Sequence, residues 1–80
     1  MELKVLGTGC TKCKKLERLA QKACTELELD VKIEKIEDIQ DIMKYNILST
    51  PGLVINGKVV LSGRLPKIDE LKQIITSNSQ

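Results

Sequence analysis

Apolar and polar positions follow several distinct rhythms along this chain. Glu2 to Leu6 alternates, with Leu3 and Val5 on one side and Lys4 and Leu6 on the other. A repeat of two is that of a β-strand. Gly7-Thr8-Gly9 breaks it. From Thr11 to about Glu28 the apolar residues are Cys13, Leu16, Leu19, Ala20, Ala23, Cys24 and Leu27. Gaps of three and four place them on one helix face. Lys12, Lys14, Lys15, Arg18, Lys22 and Glu26 occupy much of the rest. After Asp30, Val31 and Ile33 alternate with Lys32 and Glu34, which predicts a second strand. Ile36, Ile39, Ile42 and Met43 predict a shorter helix with Asp38 as its N-cap. Ile47 to Gly52 predicts a loop.

The sharpest local signal is Leu53-Val54-Ile55, Asn56-Gly57, Val59-Val60-Leu61. Asn-Gly favours the tight turn that joins two antiparallel strands. Ser62-Gly63 ends the hairpin. Pro66 suits the first turn of a last helix, where Asp69 and Glu70 sit near the positive end of the dipole. Ile68, Leu71, Ile74 and Ile75 supply its apolar stripe, and the polar tail from Thr76 to Gln80 is expected to fray. The element order is βαβαββα. A strand–helix–strand crossover implies parallel strands and a right-handed connection. The expected architecture is α/β: a four-stranded mixed sheet with helices on both faces.

Composition narrows this. Eighty residues make one small domain. Apolar residues are 41% of the chain and Tyr45 is its only aromatic, so the core must be aliphatic. Charged residues are 30% and net charge is +2, an ordinary surface with no stacking platform for bases, so no nucleic acid is expected. Apolar runs are far short of the ~18 residues that span a bilayer, and no membrane association is expected. Met1-Glu2-Leu3-Lys4 lacks the apolar stretch of a signal peptide, so the cytosol is the default expectation. Lasting structural disulfides are rare there, and the three cysteines lean towards catalysis, metal or packing.

Two of them form the Cys-x-x-Cys of Cys10-Thr11-Lys12-Cys13. Cys10 falls where the glycine loop ends and the first predicted helix begins. Unpaired N–H groups and the helix dipole favour an anion there, and the thiolate is the reactive form of cysteine. Cys13 lies one turn on and heads the apolar stripe. The pair suits an exposed attacking sulfur and a more buried resolving one. Simple packing competes, but Cys10 is off the stripe. A closed zinc site needs four ligands, and the chain offers no His and one further Cys. A two-coordinate soft-metal carrier remains open. Gly7-Thr8-Gly9 mimics the start of a dinucleotide fingerprint, but Lys12 stands where its third Gly belongs. Cys24 is three turns from Cys13, ~16 Å along the helix, and is read as core. The lysines and Arg18 are read as a solvated face that could also steer an acidic partner, and Tyr45 as a half-buried anchor.

A remote feature separates these. Ser49-Thr50-Pro51 precedes a strand that reads as interior, where proline cannot donate to the ladder. With Gly9 to Cys13, the Asn56-Gly57 hairpin and the Tyr45-Asn46-Ile47 approach, the sequence resembles the thioredoxin superfamily, and most its minimal branch of small redox-active disulfide proteins of glutaredoxin-like size. Ser62-Gly63-Arg64-Leu65 lacks the Gly-Gly-x-Asp that holds glutathione in glutaredoxins. The resemblance covers about the whole chain and implies a single thioredoxin-like domain, 1–80. It implies a thiol–disulfide oxidoreductase with Cys10 as nucleophile and Cys13 as resolving cysteine. Pro51 would follow a cis bond, and Thr50 would offer backbone hydrogen bonds to an extended substrate. Partners would be a protein disulfide and an external reductase or small-thiol reductant. No bound cofactor or metal is expected, and the protein is expected to act as a monomer. A soft-metal carrier, or a binding module whose disulfide only senses redox state, are the alternatives.

Overall fold

A computed structural model of the chain describes residues 2–9, 11–47 and 49–78. Of the positions covered above, Met1, Cys10, Leu48, Ser79 and Gln80 lie outside the described residues.

The elements are β1 (Leu3–Leu6), α1 (Thr11–Glu26), β2 (Ile33–Ile36), α2 (Ile39–Met43), β3 (Gly52–Ile55), β4 (Lys58–Ser62) and α3 (Ile68–Ser77). They make one sheet in the order β2-β1-β3-β4. β1 runs parallel to β2 and antiparallel to β3, and β3 is antiparallel to β4. The expected order and mixed sheet are both present.

Strand alternation sorts the core into two layers. Leu3, Val5, Leu53, Ile55 and Leu61 pack with Leu16, Ala20, Ala23 and Cys24 of α1 and Leu71 and Ile75 of α3. On the opposite face Leu6 and Val54 meet Ile42 of α2, with Tyr45 half-buried beside them. Ala20 and Ala23 are fully buried, and their short side chains keep α1 close to the sheet and to α3. Each buried Leu or Ile contributes about 1.5–3 kcal/mol, which lets an aliphatic core carry a domain this small.

Four local expectations are corrected. The second strand begins at Ile33, and Ile36 belongs to it and not to α2. Register explains this: Leu3 to Leu6 pair with Ile33 to Ile36, and Gly7 N–H donates to the Ile36 carbonyl at 2.9 Å. α2 is then a short helix; Asp38 caps it by accepting from Gln40 N–H at 2.9 Å, but Ile39 and Met43 remain 61% and 66% exposed. Pro66 precedes α3, because Lys67 is extended at ψ 159° and takes the N-cap position. The tail is ordered further than its polarity suggests: α3 reaches Ser77, and Asn78 Nδ2 donates to the Ile74 carbonyl at 2.8 Å.

The hairpin turn has φ 52° at Asn56 and 81° at Gly57, the paired positive values of a type I′ turn. Beyond it, Leu53 opposes Leu61 while Val54 opposes Val59, so Val60 is the extra residue of a bulge. Asn56 also gathers the two ends of the described chain. Its side-chain oxygen accepts from Glu2 N–H at 2.8 Å, its own N–H donates to the Glu2 carbonyl at 2.8 Å, and its Nδ2 donates to the Asn78 carbonyl at 3.4 Å.

Candidate functional site

The candidate site grows from the end of β1. Leu6 is the last strand residue, and Gly7 turns the chain towards α1 while staying buried. A Cβ built on Gly7 would overlap Cys13 Sγ and lie 2.8 Å from Cys13 Cβ. Only glycine therefore lets the first turn of α1 sit this close to the strand. Cys13 is 5% exposed at the head of the buried stripe. Gly9, at φ 87°, supplies the left-handed turn before the helix.

The second half comes from β3. Leu6 pairs with Gly52, so the residues after β1 and those before β3 share one end of the sheet. The Thr50–Pro51 peptide bond is cis. Pro51 is buried and Thr50 exposed. The Pro51 carbonyl accepts from Gly63 N–H at 2.8 Å, which ties this loop to the end of β4. Gly52 is closely confined as well, since a Cβ there would stand 3.0 Å from Ile47 Cδ1. Of the residues expected to carry function, Cys13, Thr50 and Pro51 thus lie at one end of the sheet. Cys10 is outside the described residues and immediately precedes α1 in sequence.

Residues that sequence reasoning did not pick out complete the surroundings. A cavity of about 240 Å³ is lined by Gly7, Gly9 and Cys13 and by the charged Lys14, Glu17, Lys35 and Glu37. That is below the ~300–1,000 Å³ usual for small-molecule sites. Glu17 stands one turn after Cys13, and its Oε2 is buried without a hydrogen bond. Lys35 Nζ lies 3.4 Å from that oxygen and 3.7 Å from Glu37 Oε1. Spacing of four from Cys13 was a usable signal for Glu17. Lys35 had none, because it reaches this face only through its register opposite Val5. Cys24 is a free, buried thiol within the core, and burial pushes its pKa up. Tyr45 is half-buried on the α2 side, its hydroxyl accepting from Lys4 Nζ at 3.4 Å. Among the described residues no helix is long and apolar enough to cross a membrane.

Comparison with known proteins agrees with this geometry. Residues 1–76 match the family described as the thioredoxin domain. The chain is 34% identical to a thioredoxin of Methanothermobacter thermautotrophicus, covering 95% of this chain and 99% of that one. It is 32% identical to a thioredoxin of Methanocaldococcus jannaschii, covering 94% and 86%. Thioredoxin 1 from the thermophilic eubacterium Thermosipho africanus superposes with a TM-score of 0.64 at 17% identity, over 96% of this chain and 92% of that one, a likeness of fold. From its sheet order to the span of the match, this chain belongs to the thioredoxin family.

Proposed function

We propose that this protein reduces protein disulfides through a dithiol made of Cys10 and Cys13. The family is one of thiol–disulfide oxidoreductases. The observation that carries the proposal is the seating of Cys13: nearly inaccessible, against Gly7, at the sheet end shared with Pro51. A sulfur so enclosed is suited to an intramolecular step, leaving the residue before α1 for first attack. Cys10 thiolate attacks one sulfur of the substrate disulfide, forming a mixed disulfide and releasing one substrate thiolate. Cys13 thiolate then attacks the Cys10 sulfur, forming Cys10–Cys13 and releasing the second. Two electrons pass to the substrate, and the released thiolates take protons from solvent. A reductase or a small thiol from outside the chain restores the dithiol. Exposed Thr50 beside buried Pro51 offers backbone groups to an extended segment of the substrate. We place this activity in the cytosol, with the protein acting as a monomer.

The test is turnover of insulin disulfides. Cys10→Ser should abolish it with the fold intact, and Cys13→Ser should accumulate a mixed disulfide. Peptide mapping of oxidised protein should give a Cys10–Cys13 link with Cys24 free. A main product involving Cys24 sinks the assignment. Reductively purified protein that carries near-stoichiometric copper or zinc and has no reductase activity favours a soft-metal carrier.

A further inference from the structure

We propose that the outward face of α1 is a docking surface for an acidic protein, the redox partner that exchanges disulfides at the helix's N-terminal end. The observation is how charge is distributed. Of the thirteen Lys and Arg residues, Lys4, Lys35, Lys44, Arg64 and Lys72 form ion pairs among the described residues. Five of the others, Lys12, Lys14, Lys15, Arg18 and Lys22, sit exposed on α1 with no such pair. Lys14, Lys15, Arg18 and Lys22 fall within about 100° of arc opposite the buried stripe. The helix's two acids do not neutralise them: Glu17 is turned to Lys35 of β2, and Glu26 to Lys72 of α3 at 2.6 Å. Lys22 acts on Glu26 only at longer range.

The arrangement opposes helix stability. Lys12 with Lys15, Lys15 with Arg18, Lys14 with Arg18 and Arg18 with Lys22 are like charges three or four apart, each a repulsive spacing. The first turn holds no acid and the last turn no base, the reverse of what the helix dipole favours. The Cys10 thiolate that the proposed reaction requires would compensate only the lysines of the first turn. It does not account for Arg18 and Lys22, roughly 10 and 16 Å along the axis from Thr11. Those spacings reach or exceed the screening length of ~8 Å at physiological salt. A cationic stripe that continues past the reach of one sulfur fits an extended acidic surface lying along the helix. A nucleic acid fits less well, because the only aromatic, Tyr45, packs on the opposite side of the sheet.

That the docked protein is a redox partner rests on the activity proposed above, and the experiment separates the two. Two disulfide-bridged peptides share one ring and differ in flanks of four Glu or four Gln. The protein is compared with a Lys15→Gln, Arg18→Gln, Lys22→Gln variant, which lacks all four repulsive spacings and should melt no lower. At ~20 mM salt the unaltered protein should reduce the Glu peptide about tenfold faster than the Gln peptide. The gap should close at ~300 mM salt and vanish in the variant, with Gln-peptide rates equal in both proteins. Equal rates on both peptides at low salt, or a preference kept by the variant, overturns the proposal. If neither peptide is reduced, the oxidoreductase assignment falls. The face is then judged by anisotropy of a labelled, cysteine-free Glu peptide: salt-sensitive binding lost in the variant upholds it, and absence of binding overturns it. A single-stranded oligonucleotide of equal charge that binds more tightly than the Glu peptide also overturns it.

Discussion

Gly7→Ala tests whether the closeness of strand and helix is what seats Cys13. The backbone at Gly7 lies outside the left-handed region, so alanine meets no conformational penalty there. By itself the change would stabilise by about 0.4–1 kcal/mol, through a stiffer unfolded chain. Contact opposes this. The new methyl would stand 2.8 Å from Cys13 Cβ, a shortfall of 0.6 Å against the 3.4 Å where ordinary contact begins, and it would overlap Sγ outright. Cβ is fixed to the helix backbone, so α1 itself must withdraw. Overpacking of this kind costs about 1–3 kcal/mol. The net expectation is a loss of about 1–2 kcal/mol, read as a fall in Tm of roughly 5–10 °C for a domain of this size. Gly9→Ala is the control: at φ 87° with no atom within 4 Å, it costs about 1 kcal/mol through backbone strain alone. Both variants are melted in urea alone and combined with Cys13→Ala. Removing Sγ should recover about 1 kcal/mol in the Gly7 background and nothing in the Gly9 background. Additivity within ~0.3 kcal/mol in both backgrounds would refute the idea that Gly7 is small for the sake of Cys13.

Two further outcomes follow from the same packing. Cys24→Ser places a hydroxyl in the aliphatic core and should cost about 1–3 kcal/mol in urea unfolding while leaving insulin reduction per folded molecule unchanged; rapid alkylation of native Cys24 would contradict its burial and raised pKa. Lys72 beside Glu26 holds that carboxyl below its usual range, so the pair's stabilisation is present above the unfolded pKa and is lost as pH falls through the folded value. Glu26→Gln should therefore flatten the decline of Tm between about pH 5 and 3, modestly because the pair is exposed, and an unchanged slope would show that the pair adds nothing.

What the sequence disclosed depended on how local each signal was. Asn56-Gly57 and the stripe from Cys13 to Leu27 are decided within a few residues, and both elements stand where their patterns put them. Ile36 was misplaced for the opposite reason. Its spacing to Ile39 and Ile42 imitates a helix, and only pairing with Leu6, thirty positions earlier, holds it in β2. Pro66 fits a first helical turn by chemistry, but the extended Lys67 delays the helix past it. Strand order alone carries the Thr50-Pro51 motif to the sheet end that also holds Cys13. Gly7 is different. A small residue after a strand reads as a turn former, while its actual part is a missing side chain facing Cys13. The Glu17–Lys35 pair joins a helix to an edge strand, a contact that exists only once register is set.

Asn56 has a topological consequence. Since Leu3 pairs with Ile55 and Leu6 with Gly52, the Asn56 turn, with Glu2 and Asn78 held at it, occupies the end of the sheet opposite Cys13 and Pro51. The described chain from Glu2 to Asn78 is thus close to a ring fastened at one point. A few flexible residues joining Glu2 to Asn78 would complete that ring, and new ends could be opened between α1 and β2, where Glu28, Asp30 and Lys32 are exposed, without disturbing the end that holds Cys13 and Pro51. A segment attached before Glu2 or after Asn78 likewise projects away from the proposed dithiol, so a module of this shape can be threaded into larger assemblies with that side facing out.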